Sequence, residues 1–146
     1  MALVTGYASK LFRNTGTYGS PTWAEITDVK DLTYTMEDTM HDATTRAHSG
    51  YKGYIQTLRN IEITWGMNYD TSDTQYVALR TAFLARTAVE FLVLDGANTS
   101  PSQGIRATCQ IFSFPISQPL DGNLVTDIKA APYAGAANPP AWYSAV

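Results

Sequence analysis

Between residues 29 and 67, apolar and polar side chains alternate along two segments, and the rest of the chain can be arranged around that pair. From Val29 to Met40 the even positions hold Leu32, Tyr34, Met36 and Met40, while the odd positions hold Asp31, Thr33, Thr35, Glu37 and Thr39. A period of two belongs to a strand with one buried and one wet face. Ile61, Ile63, Trp65 and Met67 repeat the division against Asn60, Glu62 and Thr64. The spacing predicts a long antiparallel hairpin whose wet face gathers Asp31, Glu37 and Glu62 among threonines, with no lysine or arginine between them. Its connection, residues 42–54 (DATTRAHSGYKGY), is longer than a tight turn and collects Arg46, His48 and Lys52. Loops of that length tend to be disordered or to serve a partner. A positive loop beside an acidic strand face suits the stacking of copies of one chain.

Elsewhere the pattern changes. Residues 1–21 hold Gly6, Gly16, Gly19 and Pro21 without a sustained period and read as an extended N-terminal arm. Residues 72–75 (SDTQ) have the form of a capping box with Ser72 as the cap. Tyr76, Leu79 and Phe83 follow at helical spacing, with Asp73 and Arg86 placed as the helix dipole prefers. The expectation is one helix over about 73–85, packed on a sheet. TAVEFLVLD (87–95) reads as a buried strand, GANTSPSQG as a loop and IRATCQIFSFP as the next strand. NLVTDIKA, after an Asp121-Gly122 turn, reads as the last. Residues 132–146 carry three prolines and no charged side chain. Such a segment does not suit a central strand, yet Trp142 and Tyr143 are costly to leave in water, so a docked tail is expected, for instance on a neighbouring subunit.

A chain of 146 residues suits one domain, read here as an arm (1–21), a β core (22–131) and a tail (132–146). Nine tyrosines, abundant threonine and ten glycines favour strands and turns over helices. The net charge of -3 argues against charge-driven binding of nucleic acid, which needs Lys and Arg against phosphate. Cys109 is the single cysteine, so no internal disulfide framework exists, and it falls on an apolar beat with Ile105, Ala107 and Ile111. Neither a signal peptide nor an apolar run of membrane-spanning length is visible.

Sites for chemistry are represented by fragments. His41 beside Asp42 and His48 beside Ser49 lack further ligands at metal spacing, and two histidines in a polar loop are ordinarily solvated. Glu37, Asp38 and Glu62 would make an acid and base pair only in an apolar pocket, and threonines surround them instead. Lys52-Gly53-Tyr54 begins like an RNA-recognition signature, but Ile55 and Gln56 replace the residues of its stacking platform. Phosphate-cradling glycine motifs are absent. No catalytic, metal-binding or cofactor-binding residue is assigned.

Four stretches together carry a family likeness: GTYGSPTWAEITDVKDL at 16–32, DATTR at 42–46 followed by SGYKGY, the strand ending ITWGMNYDTSD, and QPLDG at 118–122. In order and spacing the chain resembles bacteriophage major tail proteins, the tail tube proteins of long-tailed phages. The resemblance implies a mainly β fold with one helix, a tail-tube-type β-barrel or sandwich with an extended N-terminal arm, a long hairpin loop and a C-terminal tail. It also implies hexameric rings stacked into a hollow tube that conducts double-stranded DNA without binding it specifically. The implied partners are further copies of the chain and the tail terminator, tape measure and baseplate or tip proteins. No cofactor and no membrane are implied. The implied location is the virion tail, assembled in the host bacterial cytoplasm. Some members add an immunoglobulin-like domain, which a chain stopping at Val146 would lack. Related folds serve contractile tails and type VI secretion, and a monomeric β-barrel that binds a ligand or peptide is the alternative from another class.

Simple geometry agrees with six copies. If each gives about four strands, roughly 24 strands at ~4.8 Å spacing and ~40° tilt make a backbone circle about 48 Å across. Side chains remove on the order of 10 Å, leaving room for a duplex about 20 Å wide. Three copies would leave roughly 14 Å, too narrow for a duplex. On this reading Asp31, Thr33, Thr35, Glu37, Glu62 and Thr64 face the lumen and repel phosphate. Asp42, Thr45, Arg46, His48, Tyr51 and Lys52 form a ring-stacking loop, and Trp142 and Tyr143 a subunit-contact tail.

Overall fold

The computed structural model describes residues 3–146. Its strands are β1 (Lys10–Asn14), β2 (Trp23–Ile26), β3 (Val29–Asp42), β4 (Tyr54–Asn68), β5 (Val89–Leu94), β6 (Gln103–Ser113), β7 (Ile116–Ser117), β8 (Val125–Pro132) and β9 (Ala141–Ser144). A single helix among the described residues, α1 (Thr74–Ala85), follows β4. The strands make one antiparallel sheet in the order β2-β1-β5-β6-β8-β4-β3, with β7 on β8 and β9 on β6. β2 and β3 are opposite edges, yet only Thr27 and Asp28 lie between them in sequence. The sheet must therefore curl until its edges come close, which makes an open barrel with an inner and an outer face.

The alternation that defines β4 fills the inside. Ile61, Ile63, Trp65 and Met67 are buried with Phe91, Val93, Ile105, Cys109, Ile128 and Ala130, and α1 adds Tyr76 and Leu79. Trp65 meets Phe91 edge to face at 5.2 Å. Each large apolar side chain fully removed from water contributes about 1.5–3 kcal/mol, so this row anchors the base of the hairpin. The Tyr76 hydroxyl lies 3.3 Å from that of Thr126, so two buried polar groups satisfy one another.

Three elements differ from the sequence reading. Residues 10–14 are no arm: β1 pairs with both β2 and β5. Leu11 enters the main core, while its neighbour Phe12 joins Leu92 and Leu94 in a second cluster on the other face, packed with Trp23 and Tyr143. The cap of α1 is Asp73, whose carboxylate accepts the Gln75 amide at 3.2 Å, and Ser72 instead donates to Asp70. The tail is not strand-free, because β9 pairs with the first half of β6 while β8 pairs with the second half. Gly104 sits where β6 crowds β5; a Cβ there would stand 1.6 Å from the Val93 carbonyl oxygen, so a side chain cannot be accommodated without moving backbone.

Candidate functional site

The outer face of β3 and β4 carries the residues singled out for a channel wall. Thr33 pairs with Thr64, Thr35 with Glu62 and Glu37 with Asn60, and all six side chains stand outside the core. Asp31 lies in the irregularity between Val29 and Leu32 at the same end of the strand. The next strand changes the electrostatics. β8 sets Lys129 beside Thr64 and Asp127 beside Gly66, and Lys129 Nζ comes within 3.6 Å of Glu62 Oε1. Lys30, Asp31, Asp127 and Lys129 line one shallow groove with Thr33 and Thr64. Four carboxylates, Asp31, Glu37, Glu62 and Asp127, therefore face two ammonium groups, Lys30 and Lys129. The face remains net negative, but it is not free of lysine as the hairpin alone suggested. Asp38 lies on the opposite face, bidentate with Arg59 at 2.7 and 3.0 Å, so Glu37, Asp38 and Glu62 do not converge as an acid and base pair. The Arg59 guanidinium holds the Asp38 carboxyl below the usual carboxylate range.

The inner-face row does not stop where the core stops. Leu32 pairs with Trp65 and Tyr34 with Ile63 over the core, and the row continues through Met36 and Ile61, Asp38 and Arg59, Met40 and Gln56, Asp42 and Tyr54. Six residue steps from Met36 to Asp42 carry the hairpin about 20 Å along this row. Along it Met36 is 48% exposed, Met40 65% and Tyr54 47%; Ile55, paired with His41 on the other face, and Leu58, within the bulge, are uncovered as well. Between Arg59 and Gln56, β4 advances three residues against two on β3, a bulge that reverses the parity of its side chains. Sequence alternation therefore failed to extend the strand to Tyr54.

The connection at the tip is ordered. The Ala43 amide donates to the Gly53 carbonyl at 2.9 Å, and Arg46–His48 form a 3-10 turn capped by Thr45. His48 Nδ1 accepts the Thr45 amide at 2.9 Å, and its ring covers Gly53, where a Cβ would stand 2.9 Å away. Ser49 and Gly50, at φ 54° and 85°, reverse the chain. The Thr44 hydroxyl and amide both donate to Asp42, keeping its carboxyl below the ordinary range. Arg46, Tyr51 and Lys52 remain exposed at the tip.

At the other candidate surface, the tail docks on its own chain. Tyr143 packs edge to face on Trp23 at 6.3 Å and donates its hydroxyl to Asn98. Trp142 points outward, 54% exposed, its indole N–H donating to Gln103. A cluster that the sequence did not signal ties down the loop between β1 and β2. Arg106 lies 3.8 Å from the Tyr18 ring centroid, donates to the Tyr18 carbonyl at 2.6 Å and pairs with Glu90. Cys109 is wholly buried, and burial pushes its thiol up to about 12, as expected of an inert core residue. Among the described residues no group of His, Cys, Asp and Glu could hold a metal ion, and no helix is long and apolar enough to cross a membrane.

No family model and no curated protein matches the sequence. Solved structures do match its shape. A chain from the tail of an empty GTA particle, refined helically with C6 symmetry, superposes at TM-score 0.74 and 13% identity, over 97% of this chain and 98% of that one. A chain from the virion of a native gene transfer agent particle gives 0.72 at 14% identity, over 96% and 98%. The SPP1 tail tube gives 0.71 at 11% identity, over 88% and 75%. A chain of the six-fold symmetrised anti-feeding prophage baseplate gives 0.64 at 6% identity, over 99% and 98%. Across nearly its whole length, this chain has the fold of the tail tube proteins.

Proposed function

We propose that this chain is the structural subunit of a phage-type tail tube, assembling as hexameric rings that stack into a conduit for genome delivery. The observation that carries the reading is the full-length likeness to a chain in a tail of C6 symmetry. The polar face of β3, β4 and β8 supports it, because its net negative charge suits a wall past which DNA slides without the affinity that basic residues create. The outer half of the hairpin supports it too, since Met36, Met40 and Tyr54 are exposed there around the Asp38–Arg59 pair and a protein neighbour would cover them. A ligand-binding monomer is disfavoured because the barrel interior is filled by Trp65, Phe91, Tyr76 and Leu79. Likeness to the anti-feeding prophage baseplate keeps a contractile injection tube as the second reading.

Light scattering on the purified chain over a concentration series tests assembly. Growth to six-subunit mass and then to larger particles is expected, and a monomer at every concentration would reject the proposal. Deleting residues 42–50 is expected to leave rings or monomers that never lengthen, and long tubes from that variant would remove the stacking role of the loop.

A further inference from the structure

Three described methionines stand in two contrasting settings. Met67 is wholly buried, in the core with Trp65 and Ile63. Met36 and Met40 are exposed on β3, opposite Ile61 and Gln56. They are four residues and about 13 Å apart, and with Tyr54, Gln56 and Arg59 they line one shallow groove. The single cysteine, Cys109, is buried, so the accessible sulfurs among the described residues are these two thioethers. Oxidation of a thioether follows access to the sulfur and turns a flexible apolar side chain into a polar one. With a peroxide as oxidant, the O–O bond breaks, one oxygen bonds to sulfur and the other leaves as water. Sulfur loses two electrons and the peroxide gains them.

We infer that Met36 and Met40 form a redox switch on assembly: a peroxide converts both to sulfoxides in the free subunit, and the oxidised face no longer accepts a second copy. The inference rests on the tube reading, in which another copy covers this part of the hairpin. On the free subunit each sulfoxide oxygen keeps its water, so folding is untouched. A copy packed over it would strip that water and leave a polar oxygen unpaired. Met67 is the internal contrast, because an oxygen there would open the core. Methionine sulfoxide is enzymatically reducible, so the switch runs in both directions.

The test is dilute hydrogen peroxide on the purified chain, with peptide mass mapping, thermal melting and light scattering. Met36 and Met40 are expected to oxidise at least about ten-fold faster than Met67 in the free subunit, and at least about ten-fold slower once tubes have formed. The oxidised subunit is expected to melt as the untreated one does, yet to assemble only at about ten-fold higher concentration. Methionine sulfoxide reductases acting on both epimers are expected to restore assembly. The M36L/M40L protein, which keeps the apolar face, is expected to assemble equally well before and after peroxide. Equal oxidation of Met67, unchanged oxidation rates in tubes, normal assembly of oxidised wild type, or inhibition of M36L/M40L by peroxide would overturn the inference. Should M36L/M40L assemble poorly untreated, reductase rescue of wild type decides, and no recovery would overturn it. Untreated wild type that stays monomeric at every concentration would instead overturn the tube reading, and the switch with it.

Discussion

Lys129 Nζ lies 3.6 Å from Glu62 Oε1 across the β4–β8 ladder, with both side chains substantially exposed. Exposed pairs of this kind contribute little, so Lys129→Gln is expected to change folding stability by less than about 1 kcal/mol in a urea titration. Its larger effect is electrostatic, because it leaves Glu62 uncompensated. Particles carrying E37K/E62K are expected to assemble tubes but to release DNA more slowly than wild type, measured as ejection kinetics. Normal ejection from them would remove the lumen role of this face.

Trp65 is buried against Phe91 in the middle of the barrel. Trp65→Ala is expected to cost about 3–5 kcal/mol, read from the shift in denaturation midpoint. A loss below roughly 1 kcal/mol would show that this row does not anchor the hairpin.

Arg86 ends α1 with φ 57°, a left-handed conformation that suits glycine. Its carbonyl accepts from Gln110, a bond that substitution leaves in place. Arg86→Gly is expected to stabilise the fold by roughly 0.5–1 kcal/mol by relieving that strain. A lower melting temperature for the variant would contradict the assignment.

Asp28, at the base of the hairpin, responds to pH with the opposite sign to Asp38, Asp42 and Asp70. Asp38, Asp42 and Asp70 have depressed values, from Arg59, Thr44 and Ser72 respectively. Their stabilising contribution is present above the ordinary carboxylate range and is lost as pH falls through the depressed values. Asp28 is raised, so its contribution is present in acid and is lost as pH rises through its raised value. Asp28→Asn is therefore expected to stabilise the unassembled subunit at pH 7, with the gain disappearing in acid. A gain of equal size at both pH values would exclude the carboxylate crowding.

The raised Cys109 thiol predicts slow alkylation by iodoacetamide at pH 8 and rapid alkylation once denaturant unfolds the chain. Equal rates would mean that β6 opens readily.

What the sequence disclosed, and what it hid, follows from how each segment is buried. Residues 61–67 bury one face and Leu32 and Tyr34 pack against the same core, so alternation revealed them, although it also promised burial for Met36 and Met40, which stand exposed; α1 was visible because Tyr76, Leu79 and Phe83 lie on one stripe. β1 escaped because Leu11 and Phe12 are adjacent and both buried, one on each side of the sheet, which leaves no alternation to read. β4 was cut short by the bulge between Gln56 and Arg59. The shift of the cap from Ser72 to Asp73 turned on Asp70 capturing the Ser72 hydroxyl, a contact that a capping pattern alone does not encode. β9 was hidden by the prolines just before it, and Lys129 reached the acidic face only through strand order.

Cryo-electron microscopy of the purified, polymerised protein tests the central claim most directly. The account predicts stacked six-fold rings around a bore wide enough for duplex DNA, with Glu37 and Glu62 facing the bore and each hairpin tip resting on the next ring. Rings of another order, a bore lined by a different face, or no ring at all would contradict it.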